Sequence, residues 1–414
     1  MQMSVGSGVV RRFAGWLGFL LACVVGAAAV FGVLYLFAPV APALWTLLMV
    51  PLLVGTALAW LLARMLGPRL GLRPATAGIA AALIAALPLT GLITAMLLSP
   101  AQPRAAPGVD PRGPHQTLRT PAGSAIAWWS LPPAVPKHRT PVIFLHGGPG
   151  TFIRPRDFAV GDGFRAAGFR TVFYDQSGSG ASGLLPAADY TLARAVADLD
   201  ALRAALGAEK LVLWGQSWGA SLAAAYARAH PDRVAATVLD SPGDFPGEPL
   251  PLDYSATDTD GGFQPTLRDA TLYLLIGHAP QLAEQWQTQR DAQAVGQARA
   301  NRKMFMYGYQ CKGAPAKLPR PASPGGGNLY PQLLLQNDLE RQAKVTGPLS
   351  TAPMLLIRPA CDFIPAATTA RYMAAYPAAR RIDVPGRGHG FFGHDAELRA
   401  LLQGFAAKDL AQLP

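Results

Sequence analysis

The chain has 414 residues, half of them hydrophobic, with 36 lysines and arginines against 25 acids and with three cysteines. That length exceeds one typical domain, and three cysteines are too few for a disulfide scaffold. No basic run or aromatic-interleaved stripe accompanies the net charge of +11, and Arg11, Arg12, Arg64, Arg69 and Arg73 flank apolar segments, which excludes a nucleic-acid groove in favour of a charged surface near lipid.

No Asp or Glu precedes Asp110, and nothing between Arg12 and Arg64 is charged. Three apolar spans are predicted, over residues 13–37, 44–63 and 75–98, each near the roughly 20 residues that a helix needs to cross a bilayer. Pro39 and Pro42 punctuate the first gap; Gly67, Pro68, Gly71 and Pro74 punctuate the second. Arg11 and Arg12 before an apolar run containing Ala27-Ala28-Ala29 also fit a cleaved signal peptide, but the run continues well past that point. The loop over 38–43 is uncharged while the arginines named above lie at the other ends of the spans, so the positive-inside rule predicts a cytoplasmic N-terminus and everything after Leu98 outside. Arg104, Arg112 and Arg119 pull the other way.

Residues 99–114 carry prolines at 100, 103, 107, 111 and 114, the composition of an extended linker. Residues 116–120 and 124–130 then alternate like a hairpin around Pro121-Ala122-Gly123. Short apolar runs at 142–145, 171–174, 211–214, 234–239, 354–357 and 381–384 read as buried strands, with helices at 190–206 and 220–230. Strands alternating with helices predict an α/β fold whose mostly parallel sheet, formed by residues 115–244 and 351–414, is covered on both faces. The intervening residues 245–350 show helical spacing at 266–278 and 281–305 and a loose Pro/Gly region over 312–328. An insertion of that length is no loop; it reads as a helical cap over the end of the sheet. Cys23 falls in a span, whereas Cys311 and Cys361 either pair, if the compartment is oxidising, or stay as buried thiols.

Gly215-Gln216-Ser217-Trp218-Gly219 follows a predicted strand and precedes a predicted helix, the context of a nucleophile elbow. The glycines are needed because a Cβ on either flank would strike the neighbouring strand or helix. His389, in a Gly-rich loop after the last strand, is the candidate base, with His394 as rival. Asp362, after the strand at 354–357, is the candidate acid that orients it. The order Ser217, Asp362, His389 is the one expected of this elbow. His146-Gly147-Gly148-Pro149-Gly150 follows the strand at 142–145 and exposes backbone N–H groups. With the N–H of Trp218 these would form an oxyanion hole, Gly148 being the first choice of donor and Gly147 the alternative. His146 reads as a brace for the loop. No metal cluster or cofactor motif is present in the sequence.

Together His146 to Gly150, Asp175-Gln176-Ser177-Gly178-Ser179-Gly180-Ala181-Ser182, the Gly215 to Gly219 elbow with its Trp, and Asp362 with Gly388-His389 resemble the proline iminopeptidase branch of the α/β-hydrolases over residues 115–410. The resemblance implies a serine aminopeptidase whose helical cap binds the free amino end of a short peptide. This chain departs from that family in carrying Ser177 where an Arg is usual. The family's cap supplies acids for the substrate ammonium, and Glu248, Asp253, Asp258, Asp260, Asp269, Glu284, Asp291, Asp338 and Glu340 are all available without a spacing that selects among them. The expected activity is therefore that of a membrane-anchored serine hydrolase acting on a small peptide, with an ester or lipid acyl group as the alternative substrate and a non-catalytic membrane-tethered binding module as the rival of another class.

Overall fold

A computed structural model describes residues 5–66, 73–103, 110–257, 265–300, 309–314 and 327–414. The chain divides into two compact units, Met1–Ala101 with Pro265–Thr288, and Gln102–Gln264 with Gln289–Pro414.

The first unit begins with three helices, α1 (Val5–Phe37), α2 (Leu44–Leu66) and α3 (Pro74–Leu98). Their contacts are made by small residues: Ala22, Ala59, Ala63, Ala77, Ala81 and Ala85 are buried together, while Leu20, Leu53, Leu83 and Leu97 stay exposed. Small inside and large apolar outside inverts the pattern of a helix in water. All three are long and apolar enough to cross a membrane. Gly67, Pro68, Arg69 and Gly71 of the second gap lie outside the described residues, as do Arg104 and Pro107 of the linker.

The second unit is built on eight strands: β1 (Gln116–Arg119), β2 (Ala125–Leu131), β3 (Val142–Leu145), β4 (Thr171–Tyr174), β5 (Leu211–Gln216), β6 (Val234–Asp240), β7 (Met354–Cys361) and β8 (Ala379–Gly388). Their order is β1-β2-β4-β3-β5-β6-β7-β8, with β2 antiparallel to both its neighbours and β4 through β8 parallel. The chain steps one way from β3 to β4 and the other way to β5, so the carboxyl ends of β3 and β5 flank the crevice where such sheets hold their ligands. Val212 and Trp214 of β5 pack into the cluster with Phe144, Phe164, Phe173, Leu398 and Phe405. Leu211 and Leu213 point the other way and are equally buried, so both faces of the sheet are covered.

Between the strands run α4 (Pro155–Ala166), α5 (Leu192–Ala205) and α6 (Trp218–Ala229). Helix α4 has no counterpart among the sequence expectations, because Gly161 and Gly163 weaken its propensity. Those glycines serve packing: a Cβ on Gly163 would lie 2.5 Å from the carbonyl oxygen of Arg399, in the last helix. The segment over 245–350 contains α7 (Leu267–His278), α8 (Pro280–Trp286), α9 (Gln289–Ala300) and α10 (Leu329–Glu340). Helices α7 and α8 belong to the first unit and α9 and α10 to the second, so the segment read as one cap from sequence is shared between them. The expected helix over 281–305 is broken at Gln287, which is extended. Just beyond the break Gln289 is buried, held between the Tyr190 hydroxyl and the Leu185 carbonyl oxygen, a tertiary demand that overrides local propensity. Residues 301–308 and 315–326 lie outside the described residues. Helices α11 (Ala366–Ala375) and α12 (Asp395–Asp409) complete the chain.

The end of the Pro-rich linker is fastened to the sheet unit. Arg112 is 8% exposed; its guanidinium meets Asp175 and Asp110 at 2.6 Å each, donates to Ile153 O, and lies 4.6 Å from the Trp129 ring. Arg112→Ala leaves the Asp175 carboxylate buried without its cation and should destabilise the unit by about 3–5 kcal/mol, the usual result of breaking a buried pair from one side. Thermal melts of the purified variant read this directly, and an unchanged Tm would show the pair to be dispensable.

Candidate active site

The turn after β5 places Ser217 at its apex with φ 54° and ψ −121°, a conformation costing about 1–3 kcal/mol that surrounding structure must impose. Here the imposition is visible. A Cβ on Gly219 would overlap the Leu145 carbonyl oxygen of β3, and one on Gly215 would lie 2.5 Å from the Gly219 carbonyl oxygen. The Ser217 N–H donates to Asp240 O at 3.2 Å and the Gly243 N–H to Ser217 O at 3.0 Å, which ties the turn to the end of β6. Helix α6 behind it is buried from Trp218 to Ala227.

Strand β7 ends at Cys361, so Asp362 stands at its carboxyl end. Asp362 Oδ1 accepts from His389 Nδ1 and from the Ile364 N–H, both at 2.8 Å, and the Asp362 and His389 side chains are 2% exposed. A carboxylate can only accept, so Nδ1 carries a proton, and it is Nε2 that holds the lone pair in the neutral ring. The loop holding His389 is pinned by the Gly390 N–H donating to Ser241 Oγ at 2.8 Å and by Arg156 Nη2 donating to Gly390 O at 3.1 Å. Gly390 also abuts Gln216, the residue before Ser217: a Cβ there would sit 3.1 Å from Gln216 Nε2. Phe363 and Tyr309 wall the imidazole, with ring centroids at 4.3 and 5.4 Å. His394, the rival base, instead stands at the N-cap of α12, half-buried, with its pKa lowered by burial.

The loop after β3 approaches the elbow closely. A Cβ on Gly147 would lie 2.5 Å from Gln216 Oε1 and 3.1 Å from Ser217 Cβ, and Gly148 has φ 126° before a cis bond to Pro149. Among the described residues the N–H groups of Gly147, Gly148 and Trp218 donate to no protein acceptor. His146 accepts from the Gln176 N–H through Nε2 at 3.0 Å and donates through Nδ1 to Gly147 O at 2.9 Å. Burial lowers its pKa to about 3, so it is neutral and structural. Gln176 completes the brace, accepting from Trp218 Nε1 at 2.9 Å and donating to His146 O at 3.0 Å. Ser177, standing where the resemblance implies an Arg, donates to Asp198 Oδ2 at 2.7 Å, and the same carboxylate accepts from Thr120 and Ser124. Hydroxyl donors thus satisfy this buried acid without an arginine at 177.

Behind the elbow Asp240 is fully buried, with Trp214 Nε1 donating to Oδ2 at 2.8 Å and no partner for Oδ1. Burial raises its pKa to about 7. A folded value above the unfolded one of about 3.9 means that the stability it contributes is fully present below about pH 4 and is lost as pH rises through about 7. Relative to the parent, Asp240→Asn should therefore gain stability as pH rises from about 4 to about 7, on the order of 4 kcal/mol in all, and level off above that. Parallel melting curves for parent and variant across that range would refute the shift.

The cap acids have structural partners. Glu248 pairs with Arg371 at 2.8 Å, Asp253 accepts from the Ser255 N–H, Asp269 closes a capping box with Thr266, Asp338 accepts from the Leu192 N–H, and Glu340 accepts from Gln336. Glu284 and Asp291 lie in α8 and α9; Asp258 and Asp260 lie outside the described residues. Cys311 and Cys361 are joined in a disulfide with Cα atoms 5.1 Å apart, which ties the segment carrying Tyr309 to the residue before Asp362. A cavity of about 970 Å³ is lined by Thr140, Lys210, Val234 and Thr351, at or beside the amino ends of the strands and thus away from the crevice. Sequence reading missed Gln176, Asp240 and Arg112. An acid or amide at a strand's carboxyl end was the available signal for the first two, and nothing local marks the third.

The family described as the alpha/beta hydrolase fold matches residues 140–394. The proline iminopeptidase of Neisseria gonorrhoeae is 45% identical over 102 residues, which is 24% of this chain and 31% of that protein. That of Xylella fastidiosa (strain Temecula1) is 39% identical over 105 residues, 25% of this chain and 32% of the relative. The chain therefore matches about a third of the length of these relatives. Among solved structures, the proline iminopeptidase of Mycobacterium smegmatis aligns with 72% of this chain and 99% of its own at 21% identity and a TM-score of 0.43.

Proposed function

Because the chain belongs to the α/β-hydrolase family, we propose that it is a membrane-anchored serine hydrolase, an aminopeptidase that releases N-terminal residues from short peptides through Ser217, His389 and Asp362. The observation that carries the reading is the buried Nδ1 to carboxylate bond of His389 with Asp362, in a chain whose strained serine turn lies beside the His389 loop. In the proposed reaction Ser217 Oγ attacks the scissile carbonyl carbon while His389 Nε2 takes its proton. The oxyanion accepts from the N–H of Trp218 and of Gly148, with Gly147 as the alternative donor. Collapse breaks the carbonyl–nitrogen bond, the imidazolium protonates the departing amine, and an acyl-enzyme remains. Water, deprotonated by His389, then releases the acyl group and regenerates the serine. Asp362 holds the imidazole in the required tautomer and stabilises the imidazolium throughout.

Ester hydrolysis is the second reading, favoured by one observation: Glu248, Asp253, Asp269, Asp338 and Glu340 already have partners of their own, so none is set aside for an ammonium group. Turnover of an aminoacyl anilide, compared with its N-acetylated form and with a short-chain ester, tests the choice. An aminopeptidase cleaves the free anilide and loses it on acetylation. Equal turnover of both anilides, or of the ester alone, would overturn the peptidase assignment.

The three apolar helices support anchoring, and the disulfide supports a catalytic unit outside the cytoplasm, where such bonds persist. In intact cells a membrane-impermeant maleimide should label Cys311 and Cys361 only after treatment with an impermeant reductant. Labelling that requires opened cells would place the unit inside.

A further inference from the structure

We propose that residues 265–288, the α7–α8 hairpin, lie in the outer headgroup layer and insert Leu267 and Leu274 into the lipid. The proposal rests on the reading of α1 to α3 as membrane spans with the α1–α2 turn on the outer side.

That turn leaves backbone groups without helical partners. Tyr35 O would be served by the N–H four residues on, but position 39 is proline; Pro39 O lies past the end of α1, and Leu44 N, at the first position of α2, has no acceptor in its own helix. The hairpin supplies all three partners. His278 Nε2 donates to Tyr35 O at 2.6 Å, Gln281 Nε2 donates to Pro39 O at 2.9 Å, and Gln285 Oε1 accepts from Leu44 N at 3.0 Å. The ring of His278 stacks on that of Tyr35 with centroids 4.2 Å apart, and Ala38, Ala41 and Leu47 are buried together with Ala279 and Leu282. Three side chains satisfying three orphaned groups make this a built junction. At the edge of a bilayer such groups have few other partners.

The junction also sets a level. Tyr35 and Trp45 are exposed at this end of the spans, and Trp16 and Trp60 lie toward the other, the two positions of interfacial aromatic belts. Because His278 stacks on Tyr35, the last turn of α7 stands at the outer belt. Leu267, Thr271, Leu274 and His278 fall on one helical stripe by their spacing of four, three and four. Leu274 is 74% exposed and Leu267 43% exposed, and the Thr271 hydroxyl is turned back onto Leu267 O at 2.8 Å. The charged residues of α7 lie off the stripe: Asp269 is buried in its capping box and Arg268 covers the Trp286 ring at 5.6 Å. An uncharged apolar stripe ending on Tyr35 continues the exposed apolar surface of the spans, and lipid is the occupant that covers both.

The test uses the full chain in phospholipid nanodiscs, with Cys23→Ala and an environment-sensitive maleimide dye on Leu274→Cys; the disulfide-bonded Cys311 and Cys361 do not take the dye. A second protein carries the dye on Leu97→Cys, in a span. The proposal expects the dye at 274 to lose most of its emission to a shallow nitroxide-bearing lipid and to resist quenching by iodide. Quenching by iodide but not by the nitroxide lipid at 274, with the dye at 97 quenched by lipid, overturns the proposal and leaves the spans standing. Loss of lipid quenching at both positions overturns the spans and the proposal together.

Discussion

Ser217→Ala is expected to lower kcat by roughly a millionfold, the scale seen when a triad serine is removed, and to abolish labelling by a fluorophosphonate. Alanine meets the same steric demand as serine at φ 54°, so the turn and the Tm should be unchanged. The loss is therefore chemical. Without Oγ no acyl-enzyme forms, and only the oxyanion donors and substrate binding remain, worth roughly 10³–10⁴-fold over water in a serine hydrolase. A folded variant that keeps its fluorophosphonate label or its turnover would assign the nucleophile elsewhere.

Asp362→Asn should cost roughly 10⁴-fold in kcat with little change in KM, the scale of the loss when a triad carboxylate becomes an amide. Asp362 Oδ1 serves both the Ile364 N–H and His389 Nδ1 at 2.8 Å. Asparagine with its single oxygen at the Oδ1 position keeps both bonds but as a neutral acceptor that no longer stabilises the imidazolium, and the flipped side chain turns its amide N–H onto Nδ1. In the flipped form the proton of the neutral imidazole moves to Nε2, where no base is left for Ser217. Steady-state kinetics with an aminoacyl anilide read the split between kcat and KM. A loss of less than about tenfold would exclude Asp362 as the orienting acid on this scale, and Asp240, whose charge acts on His389, would be the next carboxylate to replace.

Much of the sheet unit was legible because its signals are local. The runs at 142–145 and 171–174 coincide with β3 and β4, and the hairpin and the remaining strands differ at their ends by a few residues. Strand β7 outruns its predicted end by four residues, to Cys361, since Arg358 and Pro359 interrupt the apolar run without interrupting the pairing with β8. Helices α4 and α11 escaped notice because glycines in one and threonines in the other lower propensity where packing supplies the stability. At the candidate site, spacing and chain order single out Ser217, Asp362, His389 and the loop over 146–150. Gln176, the link between Trp218 and His146, has no local signal of that role, because the role exists only once β4 lies beside β3.

The linker and the cap were the least legible. Composition describes residues 99–114 as extended, and nothing local says that Arg112 will find Asp175, 63 positions later. Helical spacing marks 266–278, but not that His278, Gln281 and Gln285 close the turn between two helices some 240 residues earlier.

The amino-acid sequence alone determined the class of fold, the three long apolar helices and the chemical types at the elbow and at the candidate acid and base, because hydrophobic period, charge exclusion and chain order can be read along the chain. Only the tertiary structure decided the pairing of His389 with Asp362, the Cys311–Cys361 bond, the burial that raises Asp240, and the division of the cap between two units. Each of these depends on the distance and the solvent between residues remote in sequence, which pairwise contact sets and local pattern does not.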